Sequence, residues 1–432
     1  MKRREFLSAT GVGAAAWLLT RGPARSAEPG PAAPPKGAAM EPVKDALVHA
    51  VRLTEGPAHQ FFGYYDVPAW SADEKLHLVH RVAFYDRQPK ADDVAEIGML
   101  RLSDRAYTKL AETRAWNFQQ GSMLQWHPVA PDREIIFNVR EGEQYRGAIL
   151  DVSTGARRLL DRPVANVDSQ GRGALSVNFS RMLAFRPGYG YTGLPDPNAD
   201  VERPEDDGVF LTDLATGKSR LILSLAQIAR AAPEGSALRQ RKILINHITF
   251  NTDGSRFVFL VRDFPTKAGG NWQTTVFTAN RDGSEVFCLR EHGYASHYHW
   301  RDAEHVLFHC GGPEKNQLYL LKDRTKEYQV VDAGYFKADG HCSYSPDRKW
   351  ILYDGYPFAD KYRRLFLYHV EKRKGVTLGA YYSDPKIGGD IRCDLHPRWN
   401  RTETGISFDS IHEGQRHVYL LDMREVMERA ST

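Results

Sequence analysis

The sequence predicts an all-β chain folded as a seven-bladed β-propeller with four antiparallel strands per blade, on three observations. A phrase made of an aromatic residue, a short polar turn and an alternating apolar strand occurs seven times. Each is followed by a second phrase of strand, polar turn and strand. Histidines fall in register with the repeat. A length of 432 residues leaves room for two or three ordinary domains, but closed repeat folds run longer as one unit.

The first phrase begins at Trp70, Trp126, Val167, Phe250, Trp300, Tyr344 and Trp399, with Val167 the one non-aromatic start. Segments such as GAILDVSTGARRLL and LYLLKDRTKEYQVV supply the second hairpin. Two hairpins every forty to fifty residues or so make a propeller blade, which buries its faces only against neighbours. Val43 to Leu53 precedes the first blade and is expected to add the outer strand of the last, closing the ring. The interval from Val167 to Phe250 is nearly double the others, so a loop and helical insertion is expected between the third and fourth blades, lying over one face.

Residues 1–27 read as a twin-arginine export signal: Arg3-Arg4, an apolar run too short to span a bilayer, then Ser26-Ala27. Residues 28–42 are rich in Pro, Ala and Gly and read as a linker, leaving 43–432 for the propeller. The expected location is periplasmic or secreted. Of 58 basic and 54 acidic residues, Met1–Ala27 carries five and one, so the remainder balances at 53 of each. That balance argues against nucleic acid and against an anionic membrane surface as partners, and a monomer without stable membrane insertion is expected. Four cysteines are too few and dispersed for a disulfide framework, and Cys342 and Cys393 read as buried fillers.

His247, His297, His341 and His396 each stand three residues before a repeat aromatic, in four consecutive blades. With 16 His in the chain, chance would place about 0.3 at any one offset across the repeats. The innermost strands surround the channel, so these imidazoles converge near the axis. Strand pleating turns His299 to the same side as His297. The metal-ligand candidates are therefore His297, His299, His341 and His396. A divalent metal, Mn, Zn or Ca, is the expected cofactor; imidazole suits Zn, Mn, Fe or Ni, whereas calcium asks for more oxygen ligands.

A second group belongs to the first two blades: His59, the run Gln60 to Asp66, His80-Arg81, then Gln119, Gln120, Gln125, His127 and Arg140. His59 and His80 are expected to share a rim, beside aromatic rings on which sugars can stack. Breaking a uronate glycosidic bond by elimination requires the carboxylate to be neutralised, the adjacent proton removed and the leaving oxygen protonated. His59, His80 and His247 are candidate acids or bases, Arg140 a clamp, and Tyr189 a phenolic partner. Tyr64, Tyr65, Arg81, Gln120, His127 and Tyr191 are candidate substrate contacts. A hydrolase would need two paired carboxylates, and Asp66, Asp206 and Asp207 form no convincing pair.

The segments DGHCSYSPDRKWILYDGYP, IRCDLHPRW and ISFDSIHEG resemble bacterial propeller proteins of the oligogalacturonate-lyase-like kind, over nearly all of Gly56 to Met423. The blade phrase itself is shared with TolB-type propellers. The first resemblance implies an uronate lyase, with His247 matching the family's base and His297 and His341 its metal ligands; the family's Gln-x-x-His-x-His run is absent, since Cys342-Ser343 follow His341. Ulvan lyases and rhamnosidase-like glycosidases are similar in another way, which implies His59 and His80 with Tyr189 and Arg140 as the active site and a structural histidine ring. Both sites stay open, with the first-blade cluster favoured as the sugar groove and the ring as a metal cage. The expected partner is an acidic oligo- or polysaccharide; a rhamnosidase-like hydrolase and a non-catalytic binding propeller are the alternatives.

Overall fold

Apolar residues at every second position make each repeat a set of strands, and the polar turns between them make the strands antiparallel. The computed structural model describes residues 43–431, apart from 45, 267–269 and 313–314. The twin-arginine segment and nearly all of the linker lie outside the described residues. Among those described, seven antiparallel sheets follow one another along the chain, six of four strands and one of five. Each is a blade.

The innermost strands are His59–Phe61, Gln125–Trp126, Asn166–Val167, Ile243–Phe250, Ala295–Trp300, Cys342–Tyr344 and Arg398–Trp399. In blades 2 to 7 the repeat residue ends this strand; in blade 1 Trp70 adds a further bridge to His77. A residue three positions earlier stands about 10 Å higher along the axis. The four register histidines therefore share one level, toward the face where second strands end.

The closing strand is split in two. Val51–Arg52 pairs with His417–Asp422 as the outer strand of blade 7, as expected, while Val43–Lys44 pairs with Lys374–Tyr382 and makes blade 6 the five-stranded sheet. The insertion also comes in two pieces. Residues 177–207 run between Gly173–Ser176 and Gly208–Asp213 of blade 3, and begin with a helix, Phe179–Phe185, whose N-cap Asn178 accepts from the Arg181 amide. A second helix, Leu225–Ala231, links blade 3 to blade 4 behind a capping box of Ser224 and Gln227. The buried Arg181 pairs with Asp196 at 3.1 Å and donates to the Ile243 carbonyl, stitching the first piece to blade 4. No described helix is long and apolar enough to cross a membrane.

One polar position near the end of the second strand latches each of several blades to the next. Ten residues after the repeat aromatic stand His80 in blade 1, Asp354 in blade 6 and Asp409 in blade 7. His80 bonds the Phe62 carbonyl at 2.8 Å and, through its other nitrogen, Ser122 of the next blade at 2.8 Å. Asp354 accepts from the amides of His341 and His396 at 2.8 and 3.1 Å. Asn138 plays the part in blade 2, accepting from the Val164 amide at 2.7 Å and donating to its carbonyl at 2.8 Å. Asp409 closes the circle: it accepts from the amides of Phe62 and Gly63, both at 3.2 Å, and pairs with Arg398, which donates to the Gly63 carbonyl at 3.1 Å.

All four groups in that closing latch are buried, so removing one partner leaves the other charged and unpaired. Asp409→Ala is expected to cost about 3–5 kcal/mol and to lower the thermal midpoint sharply, read by calorimetry. A variant as stable as the parent would contradict the latch.

Candidate active site

Four histidines three residues before the repeat aromatic reach the axis by two devices. In blades 4 and 5 a β-bulge lifts Asn246-His247 and Ser296-His297 out of the ladder, since Ile245 pairs with Val261 but Ile248 with Phe259, and Ala295 with Cys310 but Tyr298 with Phe308. In blades 6 and 7 the Asp354 latch fixes His341 and His396 by their amides, and His396 holds a left-handed backbone, φ 42°.

The rings meet. His297 and His341 centroids are 4.0 Å apart, His341 and His396 4.3 Å. Tyr64 stacks on His247 at 5.3 Å and 13°, with its hydroxyl 3.4 Å from Nε2, and meets His396 edge-on at 5.0 Å. Gln120 Nε2 lies 3.5 Å from His247 Nδ1, and Tyr189, from the blade 3 insertion, stands edge-on to the same imidazole at 5.3 Å. Below them the Tyr65 hydroxyl donates to the Tyr298 carbonyl at 2.7 Å and floors the cluster.

Carboxylates orient these rings. His341 Nδ1 contacts Asp354 at 2.9 and 3.0 Å, which turns Nε2 toward His396. His297 Nδ1 contacts Asp339 Oδ1 at 3.0 Å. Burial, reinforced by His341, holds His396 well below the ordinary imidazole range. His247 is held down by burial and then by Arg262. Burial works against the charge of Asp394, but Arg392 and Arg363, each 2.7 Å away, hold it well below the carboxylate range.

The donor atoms of His341, Asp394 and His396 lie within 4.8 Å of one another, and the two Nε2 atoms are 3.2 Å apart. Two ligands each about 2.1 Å from one ion stand about 3.0–3.5 Å apart. The set fits a divalent cation: two imidazoles and one ionised carboxylate, with a second carboxylate behind His341. His297 adjoins it. His299 does not: two residues farther along the strand it passes below the Tyr65 floor, accepts from the Tyr344 amide at 3.3 Å, and lines a 380 Å³ funnel on the opposite face with Trp70, Trp300 and Trp399.

Around this centre stands an arginine group absent from the expected set. Arg262 ends the second strand of blade 4, Arg186 caps the Phe179–Phe185 helix, and Arg392 enters blade 7. Arg392 Nη2 donates to the Tyr189 hydroxyl at 2.9 Å, and Arg186 lies over the Tyr189 ring at 4.7 Å. Arg262 is 4% exposed, and its Nε and Nη1 meet no hydrogen-bond partner among the described residues. Burial and the charge of Arg186 pull its guanidinium down to about 10, the mark of a cation short of an anion.

The first-blade cluster is not brought together. His80 is buried with both nitrogens engaged in its latch, and burial lowers it to about 4, so it has no free atom for proton transfer. His59 leans on Tyr85 at 4.3 Å, away from the axial rings. Arg140 pairs with Asp92 at 3.3 Å, packed under Gly193. Arg81 points outward to Glu96 at 3.9 Å and Tyr107 at 5.2 Å. His127 sits on the turn after Trp126, on the opposite face. Tyr191 stacks on Phe179 at 4.2 Å and bonds Asn138 at 2.9 Å, a packing role. Asp207 accepts from Asn178 within the insertion, and Asp206 from Asn198, so neither joins a catalytic pair.

No model of a known protein family matches the chain, and no curated protein matches it. Among solved structures it is similar to an oligogalacturonate lyase in complex with manganese, at TM-score 0.63 and 16% identity over 88% of this chain and 96% of that one. It is also similar to an oligogalacturonate lyase from Vibrio parahaemolyticus, at TM-score 0.61 and 15% identity over 88% and 95% of the two chains. At these identities the likeness establishes the propeller fold and its blade arrangement.

Titration calorimetry with manganese or zinc is expected to give one site per chain. His396→Ala is expected to weaken it at least about 100-fold and His299→Ala to leave it unchanged. Equal losses in both variants would contradict the assignment to His341, Asp394 and His396.

Proposed function

We propose that this chain is an exported polysaccharide lyase that cleaves a uronate-containing glycan by β-elimination at the axial site. The observation that carries the reading is the unpaired, buried Arg262 beside Arg186, facing a neutral His247. Among the described residues Arg262 meets no carboxylate and Arg186 only the half-buried Asp390 at 3.3 Å, so the pair carries positive charge in excess, and a uronate carboxylate is the anion that elimination must neutralise.

With the carboxylate held by Arg262 and Arg186, the proton on the adjacent carbon becomes acidic enough for a neutral imidazole. His247 takes that proton: its nitrogens meet Tyr64 and Gln120 only at 3.4 and 3.5 Å, long contacts that a substrate displaces, unlike the 2.8 Å bonds that hold His80. The pair left on carbon forms the double bond as the glycosidic C–O bond breaks. Tyr189 gives its proton to the departing oxygen, and Arg392, 2.9 Å from that hydroxyl, stabilises the phenolate that results. A divalent cation held by His341, Asp394 and His396 would add positive charge beside the carboxylate. Hydrolysis would need two free carboxylates; among the described residues Asp394 is committed to Arg392 and Arg363, and Asp339 to His297 and Tyr294, which leaves Asp66, pushed up to about 6 by burial, as a single acid.

Because burial and Arg262 depress His247 below its ordinary 6.5, its basic form persists as pH falls through 6.5 and is lost only lower. The acidic limb of kcat/KM is therefore expected below 6.5; a limb above it would rule out His247 as the base.

The test is ultraviolet absorbance of the unsaturated uronate product on a panel of uronate polysaccharides. Growth of that signal, with kcat/KM reduced about 100-fold or more in Arg262→Ala, is expected. Reducing sugar released without the chromophore would overturn elimination in favour of hydrolysis.

A further inference from the structure

Trp272 stands apart from the other described tryptophans. Trp70, Trp116, Trp126, Trp300 and Trp350 are buried and Trp399 is half-buried, whereas Trp272 is 39% exposed. It lies between the second and third strands of blade 4, on the face where second strands end and the axial histidines stand. Its ring is fixed from two directions. Phe185 of the insertion helix meets it edge-on at 5.3 Å, and the guanidiniums of Arg186 and Arg262 stand 5.8 and 5.9 Å from its centroid. Arg262, whose Nε and Nη1 meet no partner among the described residues, and Arg186, held by Asp390 at 3.3 Å, are thus the two cations that border this exposed indole.

We infer that Trp272 is a specificity-determining platform: a pyranose ring stacks its apolar C–H face on the indole beside the position where Arg186 and Arg262 hold a uronate carboxylate. A carboxylate projects from the edge of a sugar ring and leaves both faces free, so one chain can satisfy the arginines and the indole together. A large, rigid aromatic surface contributes contact area at little entropic cost. Tyr294, 41% exposed, is less suited, because its hydroxyl is tied to Asp339 at 2.8 Å and its ring meets His309 edge-on. The inference rests on the acidic-glycan reading of the site.

Two measurements separate the inference from that reading. In steady-state kinetics on oligouronates, Trp272→Ala is expected to raise KM about tenfold, about 1.4 kcal/mol, with a much smaller change in kcat, and Trp272→Phe to recover most of the loss. An unchanged KM overturns the platform and leaves the lyase standing. In acrylamide quenching of intrinsic fluorescence, oligouronates are expected to reduce quenching of the parent protein by shielding Trp272, and that reduction is expected to disappear in Trp272→Phe, where the half-buried Trp399 remains. Shielding without turnover retains the platform and refutes the lyase. No shielding by oligouronates, or equal shielding by neutral oligosaccharides, overturns the inference.

Discussion

Beside the closing strand, one buried carboxylate ties the last blade to the first. Asp409 in the last blade grips the Phe62 and Gly63 amides of the first, and Arg398 completes the grip through the Gly63 carbonyl. The adjacent residues are Tyr64 and Tyr65, so the latch that joins the ends of the chain also places the two phenols on the axis. Arg398 further bonds Ser407, which meets His77 of blade 1, so the grip reaches the second strand as well. A propeller has few contacts between distant blades, and its centre is positioned only as well as its neighbours are. Polar latches at one height give that centre its precision.

The same height explains why chemistry collects there. Second strands end, first strands begin and the blade 3 insertion lies on one face, so side chains remote in sequence converge on a narrow channel. Burial then removes charge from His247, His297 and His396, while ion pairs preserve it on Asp394 and Asp339. Arg262 keeps its charge with Nε and Nη1 unpartnered among the described residues. Neutral imidazoles beside a cation in excess are what the proposed elimination requires.

Much of this was legible in the repeat. The period exposed the blades, the closing strand and the four histidines, because residues that share a blade position share a height. His80 has the sequence look of a catalytic residue for the same reason it is well ordered: ten residues past the aromatic is where a blade keeps its latch, and the structure engages both its nitrogens there. Pleating placed His299 with His297, but the Tyr65 floor separates them, and that floor comes from blade 1. Asp394 stands two residues before His396, a spacing that carries a ligand pair on one side of an extended chain, so this signal was present. Arg186, Arg262 and Arg392 left none, since they come from a helix cap, a strand end and an inter-blade link that only the closed ring brings together.

The central claim is that proton transfer belongs to the axial histidines and not to the first-blade pair. The most direct measurement compares turnover of uronate glycan by His247→Ala and His59→Ala, with circular dichroism confirming that both are folded. The account predicts that the first loses activity by orders of magnitude while the second stays close to the parent. Loss of turnover in His59→Ala with His247→Ala active would contradict it.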